Sequence, residues 1–485
     1  MGLFIVLIIS FLVRLILLNQ SFWLDEAIGT LVAKNQSFLQ ILTQFPKGDN
    51  HPPLYYLILK AWGDTFGYSE ITIRMLSVIA GTLTIFIVYR ICNLYEGKKV
   101  KKKFLNFAFI SSLLLSLAPL HIYYSQEARM YVFSGLFASM SIYFFLKSFI
   151  QNNNLENWIF YSVSIIFLAF SDYIPIFLFP VFFIYALFSK KDKKWWLSYL
   201  SSNIPLGILG IFWLPIFSFQ SNAGKIFLQT LPAWISVAGG ATLKQLALFW
   251  VKFIIGRISF DNFYLYLSLI VIFSIPFLAS LVSSFKGIKK ILLVYLWLIV
   301  PTVLAFLASF IVPAFIYFRF VFVLPAFYIL LGYGISIIKN KSVQLVLIAS
   351  ILLISLYSLF LYFTNLNFQR ENWKAAVNFV ESNISDNELV VLTNPEPFAP
   401  YQWYAKDLSY ALGATNNIAP VFEKTAEKLM PYLRNTKGVY YFEYLQELMD
   451  PNEFVYNILT SEGFKPQKTY PNFNGVGNII YLSRQ

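Results

Sequence analysis

Two adjacent carboxylates, Asp25 and Glu26, stand just past the first long apolar run, in Phe22-Trp23-Leu24-Asp25-Glu26-Ala27. Carboxylates so close to lipid are costly unless they are solvated or used. A hydrated interfacial pair and a general base behind an aromatic wall both fit this placement. His51 opens His51-Pro52-Pro53-Leu54-Tyr55-Tyr56, where the two prolines preset the backbone and can start a helix. An imidazole there binds an anion, shuttles a proton or only packs, and the residue alone does not choose. Glu127 and Arg129 sit in Tyr123-Tyr124-Ser125-Gln126-Glu127-Ala128-Arg129-Met130-Tyr131. They form either an internal ion pair that orders a loop or part of a site. Arg74 lies near the start of the second apolar run, and Arg319 lies beside Tyr317, between Phe318 and Phe320. Arginine suits phosphate because its planar fork donates two parallel bonds. The competing reading for both arginines is snorkelling to the membrane surface.

The elements that must position these groups are membrane helices. The chain has 485 residues, 58% hydrophobic, 19% aromatic and only 13% charged, where a soluble domain carries about 25% charge. This excludes a disordered chain, a disulfide scaffold and an ordinary soluble enzyme. A span needs about 20 mostly apolar residues, which predicts eleven spans near 2–18, 71–92, 104–121, 131–149, 158–171, 174–188, 198–218, 263–284, 291–312, 321–338 and 343–363. The first reads as a retained span, because Arg14 lies inside it and no small-residue cleavage site follows. If the spans alternate, four lysine-bearing loops share one side: Lys98, Lys99, Lys101, Lys102 and Lys103; Lys190, Lys191, Lys193 and Lys194; Lys286, Lys289 and Lys290; Lys339 and Lys341. By the positive-inside rule that side is the cytoplasm. The expectation is therefore a multi-pass plasma-membrane protein with a cytoplasmic N-terminus and an extracytoplasmic C-terminal domain.

The net charge of +13 is uneven: residues 1–363 carry +16 and residues 364–485 carry −3. The basic excess belongs to topology, so no nucleic acid partner is expected. Cys92 has no partner for an internal disulfide, and two His with one Cys exclude a structural zinc site. The break in charge divides a membrane domain, 1–363, with outer loops 19–70 and 219–262, from a soluble α/β domain, 364–485. The 219–262 stretch reads as interfacial or re-entrant, since Pro and Gly interrupt its apolar segments. In the tail, periodicity predicts helices at 371–383, 423–433 and 452–461, and strands at 389–392, 438–442 and 478–482. Asn394-Pro395-Glu396-Pro397 reads as a breaker. With this topology Asp25, Glu26, His51, Glu127, Arg129, Tyr317 and Arg319 all face outward. A site that binds an anionic head group and abstracts a proton needs such a set.

These motifs resemble a known family. The acidic pair after the first span resembles the first-loop motif of the GT-C glycosyltransferases, in the protein O-mannosyltransferase-like subgroup with its aminoarabinose-transferase relatives. The His51–Tyr56 segment, Ile73-Arg74-Met75-Leu76-Ser77 leading to Gly81-Thr82-Leu83, Ser125–Tyr131 and Phe318-Arg319-Phe320 are similar to the same subgroup. The resemblance covers residues 1–363, and Arg370-Glu371-Asn372-Trp373 looks like the start of the outer domain that bacterial members append. It implies a polytopic α-helical GT-C fold and an inverting transfer of a sugar from a polyprenyl-phosphate donor to a protein, lipid or glycan acceptor, as in protein glycosylation or cell-envelope assembly. By the same resemblance Asp25 takes the acceptor proton and Glu26 orients it or binds the sugar. Arg74, Arg129 and Arg319 hold the lipid phosphate, with His51 at a place where relatives carry a basic phosphate contact. Glu127 fixes Arg129 or touches a sugar hydroxyl, and aromatics such as Tyr317 line the donor groove. No cofactor is expected. A divalent cation stays open, because an acidic pair is not a coordination shell. The competing readings are a transporter or flippase of a lipid-linked substrate, against which the chain shows no half-repeat, and a polymerase or ligase of surface glycans.

Overall fold

The computed structural model describes residues 2–97, 106–150, 153–395, 398–416 and 419–484. The first lysine cluster, Lys98 to Lys103, lies outside the described residues, as do Glu396 and Pro397 of the expected breaker. The chain forms two compact units. One comprises Met1–Leu18, Ser37–Gln220 and Ala238–Thr364; the other comprises Asn19–Gln36, Ser221–Val237 and Asn365–Gln485.

The first unit is helical because hydrocarbon leaves backbone polar groups no partner outside the segment itself. Among the described residues seven helices are long and apolar enough to cross a membrane: Glu70–Glu96, Tyr131–Ile150, Lys193–Thr230, Pro232–Ile255, Phe263–Gly287, Tyr317–Ser336 and Lys341–Thr364. A bent pair, Phe107–Ser116 and Pro119–Ser125, turns by 60° at its break. Four shorter apolar helices, Gly2–Leu15, Leu155–Ser171, Ile174–Leu187 and Leu292–Ala308, complete the set. Each of the eleven expected spans coincides with one of these helices. The 219–262 stretch differs from the interfacial expectation: the Lys193–Thr230 helix runs twelve residues past 218, and Pro232–Ile255 is itself long enough to span. The expected breaks at Pro232 and Gly239-Gly240 are present, as the start of a short 3-10 turn and a non-helical joint.

Two helices form the centre of the unit, Tyr131–Ile150 and Tyr317–Ser336, whose side chains are almost all buried. Close backbone approach sets their packing. At Gly334 a Cβ would stand 1.9 Å from the carbonyl oxygen of Ser280. A buried polar staple ties the first helix to the bent pair. Arg14 Nη1 donates to the Ser10 carbonyl (2.8 Å) and the Ser116 carbonyl (3.0 Å), while Nη2 lies 2.7 Å from His121 Nδ1. Gln126 Nε2 adds bonds to the carbonyls of Arg14 (3.2 Å) and Ile16 (2.6 Å). Buried donors in an apolar surround are tolerated only when bonded in this way.

The second unit is an α/β domain built by the tail. Its five strands are β1 (Glu388–Leu392), β2 (Ala411–Gly413), β3 (Gly438–Phe442), β4 (Lys465–Phe473) and β5 (Gly477–Ser483), in the order β2-β1-β3-β5-β4. β1 pairs in parallel with β2 and β3, β5 runs antiparallel to β3, and β4 closes the edge as a hairpin with β5. Side chains alternate between two faces, as the period of a strand requires. Val390, Leu392, Tyr440 and Phe442 pack under the Trp373–Asn383 and Ala399–Tyr404 helices. Val391, Val439 and Tyr441 pack under Phe422–Leu433 and Phe454–Ser461.

Candidate active site

In the first unit the loop before the Leu54–Phe66 helix carries Asp49 and His51, and the helix begins directly after the two prolines. Gln220 fixes this loop: its Nε2 lies within hydrogen-bonding distance of the carbonyls of Pro46 (2.9 Å), Asp49 (2.9 Å) and His51 (3.1 Å). Gln220 in turn accepts from the Tyr173 hydroxyl, which accepts from Trp213 Nε1 at 2.8 Å. His51 Nδ1 meets Asp49 Oδ1 at 3.2 Å. On the other side Arg129 Nη1 donates to the Tyr56 hydroxyl (3.3 Å), and Tyr56 bonds on to Asp49. Burial alone would push the Asp49 carboxyl up. His51, Arg129 and the Tyr56 hydroxyl outweigh it and hold the group down at about 2.

Glu127 and Arg129 occupy the turn between the Pro119–Ser125 and Tyr131–Ile150 helices, and both are buried. Arg129 also lies over the Tyr131 ring, 5.8 Å from its centroid. A second guanidinium, on an exposed residue, belongs to the same region. Arg257 follows the Leu243–Ile255 helix, donates from Nη1 to the Tyr123 hydroxyl at 2.5 Å, and stacks on that ring at 4.7 Å. Desolvation opposes its charge, and Tyr123, Tyr317, Tyr124 and Glu127 outweigh it and favour the cation. Tyr317 and Arg319 stand on a 3-10 turn, Tyr317–Val323, at the head of the Leu324–Ser336 helix. Arg319 Nε is buried with no hydrogen-bond partner. Aromatic rings wall the region: Tyr124, Tyr131 and Phe318 lie edge to face or tilted within 5.1–6.3 Å of one another.

The structure thus gathers His51, Glu127, Arg129 and Tyr317 of the expected set in one unit, with Arg319 at the same turn as Tyr317. Arg74 is buried elsewhere in the unit, and its Nη1 donates to the Leu18 carbonyl at 2.8 Å, at the exit of the first helix. Asp25 and Glu26 belong to the other unit, in the first turn of the Leu24–Asn35 helix, with Asp25 half-buried and Glu26 fully buried. Carboxylates favour that end because the helix dipole is positive there. Asp49 and Arg257 were not assigned roles from the sequence. The signal for Arg257 is a lone arginine directly after an apolar helix on the expected outer side. Among the described residues no group of three or more His, Cys, Asp or Glu stands together as metal ligands do.

This architecture has counterparts. ArnT from Cupriavidus metallidurans superposes in its apo state with a TM-score of 0.57 at 12% identity, covering 99% of this chain and 97% of that one. The same enzyme bound to undecaprenyl phosphate gives 0.58 at 11% identity with the same coverage. The archaeal oligosaccharyltransferase AglB from Archaeoglobus fulgidus, in complex with an inhibitory peptide and a dolichol-phosphate, gives 0.50 at 13% identity over 100% of this chain and 74% of that one. The fold is that of the GT-C membrane glycosyltransferases. Residues 50–219 match the sequence profile of the family described as dolichyl-phosphate-mannose-protein mannosyltransferase, a segment that includes His51, Arg74, Glu127 and Arg129. No curated protein matches the chain by sequence.

Proposed function

We propose that this chain is an integral-membrane inverting glycosyltransferase that moves a sugar from a polyprenyl-phosphate donor to an acceptor on the extracytoplasmic face. The observation that carries the reading is the pair of guanidinium groups, buried Arg129 and exposed Arg257, each bonded to a tyrosine hydroxyl, in a fold shared with ArnT, which is seen bound to undecaprenyl phosphate. A planar guanidinium suits a lipid phosphate because it donates two parallel bonds.

In this reading the acceptor nucleophile attacks C1 of the sugar from the face opposite the phosphate. A new C1–acceptor bond forms, the C1–O bond to phosphate breaks with its electron pair leaving on the phosphate, and the acceptor proton passes to Asp25. Arg129, Arg257 and Arg319 meet the charge that grows on the leaving phosphate, and such charge-directed donors are worth most in a water-poor site. His51 and Asp49 flank the same phosphate contact, with Asp49 keeping the imidazole oriented through Nδ1. Glu127 sets Arg257 and Arg129. Arg74 serves as the clamp on the first helix exit, a role supported by its bond to Leu18. Glu26 orients Asp25 or contacts the donor sugar. The N-terminus is cytoplasmic and the tail domain extracytoplasmic, a reading supported by the four lysine-rich loops.

The test is donor consumption. Purified protein in lipid vesicles is offered a panel of radiolabelled polyprenyl-phosphate sugars with a membrane extract as acceptor source. Release of polyprenyl phosphate with label appearing on an acceptor is the expected result. Donors that stay intact yet cross the bilayer would replace this reading with a flippase.

A further inference from the structure

The segment that carries the acidic pair is bonded to the tail domain at three consecutive positions directly before its helix. Gln20 Oε1 accepts the Arg370 N–H at 2.8 Å, Ser21 Oγ accepts the Lys374 N–H at 3.1 Å, and the Phe22 N–H donates to the Tyr404 hydroxyl at 2.7 Å. Phe22 is fully buried, and its ring meets that of Trp403 edge to face at 5.4 Å. Near the far end of the helix the Lys34 ammonium sits over the same indole at 5.1 Å. Leu24 packs against the core around Trp373 and Tyr401.

The Leu24–Asn35 helix does not set its own start. Trp23 at its cap gives the first turn no side-chain bond, where a Ser, Thr, Asp or Asn would accept from an orphan N–H. Its entry direction is therefore fixed by what holds residues 20–22. Asp25 and Glu26 are the second and third residues of the helix and turn with that entry. The holding side is itself anchored. Trp403 and Tyr404 end the Ala399–Tyr404 helix, whose Tyr401 is fully buried against Phe442 of β3, with ring centroids 5.7 Å apart. Tyr404 packs against that same core. Its hydroxyl grips the backbone of the segment three residues before Asp25.

We propose that Tyr404, together with Trp403, is a positioning residue for the transfer reaction: the tail domain holds the helix of Asp25 at the angle from which that carboxylate takes the acceptor proton, a role that rests on Asp25 being the acceptor base. The tail is then a working part of the transferase. The physical route is geometry. A base acts only within hydrogen-bond reach of the proton it takes, and a misplacement of about 1 Å costs on the order of 10²-fold. Glu26, buried in the same turn, moves with Asp25. The like charge beside the base therefore stays as it is when the hold is loosened, and the loss falls on the proton-transfer step.

The test uses the full-length protein and two readouts. Hydrogen exchange in detergent, with no donor present, is read by mass spectrometry on peptides covering residues 19–27. Tyr404→Phe removes the acceptor of the Phe22 N–H and is expected to speed exchange there roughly tenfold, with the peptides of the five-stranded sheet unchanged. Trp403→Leu, which removes the ring contacts to Phe22 and Lys34, is expected to act the same way and serves if Tyr404→Phe fails to fold. Transfer is then measured in a double-mutant cycle with Asp25→Asn. Tyr404→Phe alone is expected to lower kcat by roughly threefold to tenfold with the donor KM unchanged. Added to Asp25→Asn it should change the residual rate by less than about twofold, since a carboxamide that takes no proton has no position to lose. An equal loss in both backgrounds is what a merely destabilised protein gives, and it overturns the proposal. So does an unchanged kcat beside faster exchange in 19–27, or exchange there that both variants leave at the wild-type rate. Wild-type transfer by Asp25→Asn removes the base and the proposal with it. That failure is told apart from the others because it is seen without any change at Tyr404 or Trp403.

Discussion

Arg257 donates from Nη1 to the Tyr123 hydroxyl and is otherwise open to the surface. A charge so exposed contributes little to stability, and its planar fork suits an arriving phosphate. Arg257→Lys keeps the charge but loses the planar fork and the stacking on Tyr123. A charge-assisted bond is worth about 1.5–3 kcal/mol, so the donor KM should rise by roughly 10–100-fold while the protein still folds. Steady-state kinetics over a donor series would check this, and an unchanged KM would remove Arg257 from the phosphate site. Asp49 makes a second prediction with a definite sign. Its carboxyl is held at about 2 in the folded protein, below its ordinary value. The resulting stabilisation is complete above the usual carboxylate range and is lost as pH falls toward 2. Thermal unfolding in detergent should therefore lose Tm steadily between pH 5 and pH 3 in wild type, and less steeply in Asp49→Asn.

At the scale of elements, long apolar runs were legible because length alone reports them, and each expected span found its helix. The departures have physical causes. The Lys193–Thr230 helix contains Pro205 and Pro215 and still continues to Thr230, since within an apolar surround neighbouring groups re-satisfy the carbonyls a proline frees. In the tail the central strands β1 and β3 were legible as short buried runs. β4 was not: Lys465–Phe473 is polar and contains Pro466 and Pro471, which a strand tolerates only at a sheet edge, where β4 lies. β2 has three residues and no pattern to read. The acidic pair was visible, but its membership in the tail's unit depends on contacts between residues 350 or more apart in sequence, such as Phe22 with Tyr404. Arg257 was hidden inside a stretch read for its apolarity. Helix packing gives its own prediction. Gly334→Ala drives a methyl into the Ser280 carbonyl, and overpacking of this kind costs about 1–3 kcal/mol. Tm in detergent should fall, whereas Gly210→Ala, with open space at its Cβ, should leave it within a degree or two or raise it, as a glycine in a helix interior costs about 0.5–1 kcal/mol.

At the scale of the whole molecule the account requires a sidedness. The only cysteine, Cys92, is buried in the Glu70–Glu96 helix, so single reporter cysteines can be read against a silent background once Cys92 is replaced by Ser. A cysteine replacing Lys437 in the tail should react with a membrane-impermeant maleimide in intact cells. One replacing Lys289 should react only after permeabilisation. The reverse pattern would invert the topology and put the tail on the cytoplasmic side.

The central claim is that Asp25 takes the acceptor proton, and it is tested most directly by comparing wild type with Asp25→Asn in vesicles, measuring transfer and donor binding on the same preparations. A general base typically contributes 10²–10⁴-fold. The account predicts that transfer falls by roughly that factor while the variant folds and binds polyprenyl phosphate within a few-fold of wild type. Transfer at the wild-type rate by Asp25→Asn would contradict it.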